Sequence, residues 1–287
     1  MEVQPLGQDF GAVVEVGPLA ELRAATFSEV LDLAHRYAVL VFPHQHVSDD
    51  EHLAFARRFG PLERALNSRS DTRFSRLSSV RGNGDHVQAG SSVARMLESN
   101  MAWHTDSSFK PIPATFSLLS CKEAAATGGE TEFADLRAAW DALDPVRRGR
   151  VEGKRALHSY LWSQEQAGAA DWLSDEDWAA LPPVNQPLVR THPATGRRNL
   201  YLGRHARQVV GEDADASGRF LAELCEWACQ PPRVFAHRWS TGDLVMWDNR
   251  CVAHRGRPFP YRERRIMVRA TVAGDPPPDE RNPWALD

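Results

Sequence analysis

The 287-residue chain has no basic block or stripe, and its formal net charge is only −4. That argues against a surface gripping nucleic acid through phosphate contacts. No apolar run approaches membrane-spanning length. Residues Met1 to Gly7 show no basic segment leading into an apolar one, so no signal peptide is read there. The four cysteines, Cys121, Cys225, Cys229 and Cys251, lack the paired spacing of a zinc clip. Cys225 and Cys229 fall four apart in a helical pattern and read as packing neighbours. Neither an internal repeat nor a compositional linker interrupts the chain. These absences lead us to expect a cytoplasmic protein with no nucleic acid and no membrane among its partners.

What is present suits a sizeable core: 42% hydrophobic and 25% charged residues. The length is within reach of a single barrel or sandwich domain spanning 1–287. Thr26 and Glu29 read as a capping box opening a helix with Val30, Leu33, Ala34 and Tyr37 on one face. Ala38 to Phe42 is apolar throughout, like a strand buried on both faces. Ser48 and Glu51 box a second helix, ended by Gly60 and Pro61. Residues 63–99 are polar and rich in Ser, Arg, Asp and Gly, and a loop of that length inside a domain suggests an active-site lid, with a tight turn at Asn83-Gly84-Asp85. Further strands are predicted at Ala114 to Leu119, after the Gly128-Gly129 turn, at Val234 to Trp239, Leu244 to Trp247 and Ile266 to Val272. Asp135 should cap a helix, and Pro187 to His192 with Asn199 to Gly203 should form a hairpin. Arg219 to Gln230 reads as helix, and the tail from Asp275 as irregular. Short strands between Gly and Pro turns, with helices inserted, predict a mainly β fold built on a jelly-roll core.

His104 and Asp106 stand two apart in Trp103 to Phe109, so on an extended strand imidazole and carboxylate converge. Adding a second histidine would complete the facial triad that holds Fe(II) and leaves positions open. A lone His-x-Asp pair is weak, because surface strands produce it by chance. One later histidine has a comparably rich setting: His254, where a strand runs into a turn, 254 − 104 = 150 positions on. Arg265 and Arg269 follow at same-parity positions in a β-rich stretch. Arginines point into a core only toward an anion, so the pair suggests two anionic ligands or two ends of one site. His192, His205 and His237 read as solvated or hydrogen-bonded histidines of loops and polar strands.

His104-Thr105-Asp106, the Gly128 to Thr131 turn, Gly242 to Arg250 ahead of His254, and the Arg265/Arg269 pair together resemble the taurine dioxygenase family of Fe(II)/2-oxoglutarate oxygenases. The likeness covers nearly the whole chain. Trp103 to Phe109, Gly129 to Asp135, Pro187 to His192 and Leu244 to Arg250 are most similar to its 2,4-dichlorophenoxyacetate branch. The resemblance implies a double-stranded β-helix with His104, Asp106 and His254 on iron. It implies Thr131 and Arg265 on 2-oxoglutarate, Arg269 on the substrate's anion, and Asn100 near the ligands. Arg64, Arg69, Arg73, Arg76 and Arg81 are further candidates for substrate contact. With O2 as oxidant, the expected reaction hydroxylates the carbon beside the ether oxygen of an aryloxyalkanoate, releasing a phenol, an oxo-acid, succinate and CO2. The expected partners are a small anionic substrate and further copies of the chain in a homo-oligomer. Taurine, alkylsulfonate or sulfate-ester oxidation is the alternative with the same iron chemistry. From other classes, a zinc hydrolase and a non-catalytic jelly-roll binding protein remain open.

Overall fold

Val39–Phe42 is buried at all four positions, as a run without a polar face must be. In the computed structural model, which describes residues 1–64, 66, 73–172, 174–276 and 281–286, this strand lies within a seven-stranded sheet. The order is Glu2–Pro5, Ala12–Glu15, Val39–Phe42, Leu244–Asp248, Phe116–Glu123, Ile266–Thr271 and Ser75–Ser78. Neighbours are antiparallel except Ala12–Glu15 beside Val39–Phe42. A second, antiparallel sheet places Thr131–Asp135 between Val234–His237 and Val252–Gly256.

Alternation along Leu244–Asp248 sorts the layers. Leu244 and Met246 join Val30 and Ala34 of the Ala24–Tyr37 helix and Phe55 of the Asp49–Arg57 helix. Val245 and Trp247 turn the other way and meet Phe133 and Val252 of the second sheet. Ala134 and Ala253, on that sheet's far face, pack with Leu221 and Leu224 of the Ala214–Ala228 helix. Each fully buried aliphatic or aromatic side chain contributes roughly 1.5–3 kcal/mol, so the layers are held mainly by this burial. The result is a strand-built core of two facing sheets with helices outside.

Local signals decide several boundaries. The Ser48/Glu51 capping box is present in both directions. Asp135 caps Leu136–Asp141 by accepting from the N–H groups of Arg137 and Ala138. The hairpin forms between Val189–Thr191 and Arg198–Leu200. Asn83-Gly84-Asp85 turns, with Gly84 N–H donating to Arg81 O at 2.9 Å.

Four readings of the sequence need correction. The first helix starts at Ala24 and has no side-chain cap, so Thr26 lies inside it: alanines continue a helix without a box. Residues 63–99 are not one loop, because Ser75–Ser78 is the sheet's edge strand against Ile266–Arg269 and Ser92–Ser99 is a helix capped by Ser91. The C-terminal tail is not wholly irregular, since Ala285–Leu286 pairs with Leu62–Glu63. His104 and Asp106 do not share a strand: His104 forms a single bridge with His254, and the chain turns at once.

Candidate active site

His104 and His254 are tied through their backbones. His104 N–H donates to His254 O at 3.0 Å, and His254 N–H to His104 O at 2.8 Å. Their rings lie 4.2 Å apart, centroid to centroid. The turn after His104, with Ser107 at φ 57°, brings Asp106 back to them. One donor atom from each of the three lies within 4.8 Å of the others, and all three residues are buried.

A polar chain fixes the carboxylate. Ser117 Oγ donates to Asp106 Oδ2 at 2.7 Å, and Arg269 Nη1 donates to Oδ1 at 2.7 Å. Asn249 Nδ2 donates to Ser117 Oγ at 2.9 Å, so that hydroxyl's own proton is directed to Asp106. Asn249 Oδ1 accepts from Asp106 N–H at 3.2 Å and from Trp247 Nε1 at 3.0 Å. Burial pushes the carboxyl up, but the Arg269 charge and the Ser117 hydrogen bond outweigh it and hold Asp106 ionised. Burial lowers both imidazoles, His254 to about 4, and keeps them neutral. His104 Nδ1 lies 2.8 Å from Ala102 O, an acceptor, so Nδ1 carries the proton and Nε2 offers its lone pair. Two neutral imidazoles and one carboxylate are the donor set a divalent iron takes.

Two cavities share Asn100, His104 and Arg269 in their walls. The smaller, about 60 Å³, is bounded by Leu119, Thr131, Trp247, His254 and Arg265. Thr131 Oγ1 accepts from Trp239 Nε1 at 3.0 Å. Arg265 Nη2 donates to Gly129 O at 3.0 Å, and its guanidinium has no carboxylate partner among the described residues. A side chain at Gly129 (φ +73°) would stand 2.9 Å from Arg265 Nε, so glycine is needed for that approach. Burial lowers Arg265 to about 10, which leaves it charged at neutral pH and in want of an anion.

The larger cavity, about 440 Å³, holds Arg64, Arg73, Arg76, Lys110, Arg204 and Arg269 against only Glu63 and Asp106. Arg81 is outside its wall, and Arg69 lies outside the described residues. Asn100 caps Ser92–Ser99, with its Nδ2 on Met96 O at 3.1 Å and its carbonyl accepting from Gly256 N–H at 2.9 Å. Phe109 and Tyr160 stack at 4.3 Å.

The sequence reading missed Arg204, His205, Lys110 and Tyr160. His205 takes the hydrogen-bonded alternative: it is buried, bonded through Nδ1 to Ser163 Oγ at 2.8 Å and 6.2 Å from the His104 ring. A Cβ at Gly203 would lie 3.0 Å from His104 Cα, so the 203–205 segment rests on the ligand's backbone, a contact the sequence does not reveal. His192 is also buried, with Nε2 on Asp248 Oδ2 at 2.9 Å, and it braces the hairpin away from the cavities. His237 Nε2 meets Asp243 Oδ2 at 3.1 Å.

The family described as "Taurine catabolism dioxygenase TauD, TfdA family" matches residues 2–271, and the chain belongs to it. It is therefore a dioxygenase, an oxidoreductase. The (S)-phenoxypropionate/alpha-ketoglutarate-dioxygenase of Delftia acidovorans is 40% identical over 286 residues, covering 96% of each chain. The alpha-ketoglutarate-dependent 2,4-dichlorophenoxyacetate dioxygenase of Cupriavidus pinatubonensis is 42% identical over 279 residues, 94% of this chain and 97% of that one. Among solved structures, AAD-2 in complex with Mn(II) and N-oxalylglycine superposes with TM-score 0.88 at 39% identity, covering 96% of this chain and 99% of that one. No described helix is long and apolar enough to cross a membrane.

Proposed function

We propose that the chain is an Fe(II)- and 2-oxoglutarate-dependent dioxygenase that hydroxylates the carbon beside the ether oxygen of an aryloxyalkanoate. The resulting hemiacetal collapses to a phenol and an oxo-acid, while 2-oxoglutarate becomes succinate and CO2. The observation that carries the reading is one buried His-Asp-His cluster opening on two cavities, each with buried cationic nitrogen facing it. His104 Nε2, Asp106 and His254 would hold the metal. When bound, Fe(II) supplies the oxidation, coupling O2 reduction to decarboxylation of 2-oxoglutarate.

The remaining tasks fall to the protein. Arg265 and Thr131 orient the distal carboxylate of 2-oxoglutarate in the smaller cavity, where the largely buried guanidinium makes a charge-assisted pair strong. Phe109 and Tyr160 offer an aromatic wall for the ring of the substrate in the larger one. Arg269 faces both cavities and holds Asp106, which places the substrate's anion beside the metal ligands. Asn100 lines both cavities.

The facing sheets support a double-stranded β-helix within one domain over 1–287, and the 63–99 segment, which contributes Arg64, Arg73 and Arg76 to the cavity, supports its reading as a lid. Four free, buried cysteines suit a reducing cytoplasm. The cationic excess also suits a sulfate ester or alkylsulfonate as second reading. Anaerobically Fe(II)-loaded protein should release succinate from 2-oxoglutarate and O2 fastest with aryloxyacetates or aryloxypropionates. Faster release with alkylsulfonates or sulfate esters would replace the substrate; no 2-oxoglutarate-dependent O2 uptake with any of them would overturn the chemistry.

A further inference from the structure

Six cationic side chains line the larger cavity, and five are engaged. Lys110 Nζ lies 2.7 Å from Glu63, Arg76 lies 2.6 Å from Asp49 and Arg269 lies 2.7 Å from Asp106. Arg64 and Arg73 also have interaction partners. Arg204 differs. Its Nε and Nη1 are covered from solvent, yet no hydrogen bond or ion pair reaches its guanidinium from the described residues. Arg204 is only partly buried, but the covered side of its guanidinium has lost water without gaining a partner, which is unfavourable unless a ligand completes it.

The backbone that carries this side chain is held in place. Arg204 N–H donates to Trp103 O at 2.8 Å, directly before the ligand His104. Gly203 lies on the His104 backbone, and His205 is pinned by Ser163. The backbone of Arg204 is thus fixed against the segment that carries His104, and its side chain lines the larger cavity. Burial lowers its pKa only to about 10, so it remains a cation at neutral pH. Arg269, by contrast, already has Nη1 committed to Asp106.

Building on the oxygenase reading, we infer that Arg204 receives the oxyanion of the primary substrate and sets the preference for anionic over neutral substrates. Arg269, which holds Asp106 through Nη1, has its buried Nε left for a second contact with the same anion. A planar fork facing the cavity suits a carboxylate or sulfur oxyanion in two-point contact.

The test uses the metal-free full chain and its R204M and R204Q variants, with 2-phenoxypropionate, its neutral amide, hexanesulfonate and hexyl sulfate as probes. Thermal unfolding without probe should show R204M as stable as wild type or more so, because a partly buried charge without a partner has gone. By calorimetry, 2-phenoxypropionate should bind R204M at least 30-fold more weakly than wild type, with the amide weak for both. In the Fe(II)-loaded enzyme the KM for 2-oxoglutarate should stay within twofold, so the loss is confined to the primary substrate. R204Q, with a different side-chain shape, gives the same reading if R204M does not fold. Equal binding of the acid by wild type and the neutral variants overturns the role. If wild type binds only the sulfonate or sulfate, and the variants lose it, the ether-acid reading falls while Arg204 keeps its role. If no anion binds wild type, the role of Arg204 falls as well.

Discussion

Ser117→Ala removes one hydroxyl from the centre of the Asp106 network. That hydroxyl donates to Asp106 Oδ2 at 2.7 Å and accepts from Asn249 Nδ2 at 2.9 Å, and Ser117 and Asn249 are wholly buried. Loss of a hydrogen bond to a charged acceptor is worth about 1.5–3 kcal/mol, and stranding a buried amide about 1–3 kcal/mol. The two share a network and do not add fully, so urea unfolding of the metal-free protein should show a loss of roughly 2–5 kcal/mol. Asp106 would keep Arg269 but lose the contact that sets its angle. Partners behind a metal ligand typically carry about 10–100-fold in affinity. Mn(II) titration, which avoids oxidation, should therefore give a Kd about 10–100-fold higher in S117A. A destabilised variant with wild-type Mn(II) affinity would refute the positioning argument, because the network would then support only the fold.

Arg265→Lys keeps a point charge but loses the fork, so the KM for 2-oxoglutarate should rise about tenfold or more while binding of the primary substrate changes little; an unchanged 2-oxoglutarate titration would move the anchor elsewhere. Gly203→Ala puts a Cβ 3.0 Å from His104 Cα and 3.1 Å from Trp103 O at a φ of +147°, so metal affinity should fall at least tenfold in the same titration, and a wild-type value would show that the segment yields freely. Asp248 is buried and its pKa is lowered to about 2, because hydrogen bonds from Arg250 and His192 outweigh desolvation. A depressed carboxylate stabilises the fold above its unfolded pKa of about 4 and loses that contribution as pH falls through about 2, here on the order of 2 kcal/mol. Asp248→Asn should therefore flatten the stability profile between pH 4 and 2, and a profile parallel to wild type would remove Asp248 from the account.

The sequence made visible what depends on near neighbours. Val39–Phe42 could be read because a strand with two apolar faces needs no partner to be recognised. The Ser48/Glu51 box could be read because both its bonds close within three residues. The pair His104/Asp106 was visible as a pattern, but the expected strand was wrong: a turn stabilised from Asn249 and His254, far along the chain, makes the two converge. Ser75–Ser78 was hidden because an edge strand of Ser-Arg-Leu-Ser has no apolar signature, and Ile266–Arg269 decides its pairing. Arg204 was hidden for a related reason. Nothing beside it in sequence marks an arginine as lining a cavity; contact of its backbone with the Trp103–His104 segment does that.

The backbone bridge between His104 and His254 also says something about the order of assembly. The residues it joins are 254 − 104 = 150 positions apart, so the bridge is a long-range contact. Contacts of that span close late, after the entropy of the intervening loop has been spent. A chain emerging from the ribosome up to the Ala214–Ala228 helix presents only His104 and Asp106, two donors without the third. The reactive metal thus has no complete seat until the sheets that shield it have closed, and quality control of the fold becomes quality control of the oxidant.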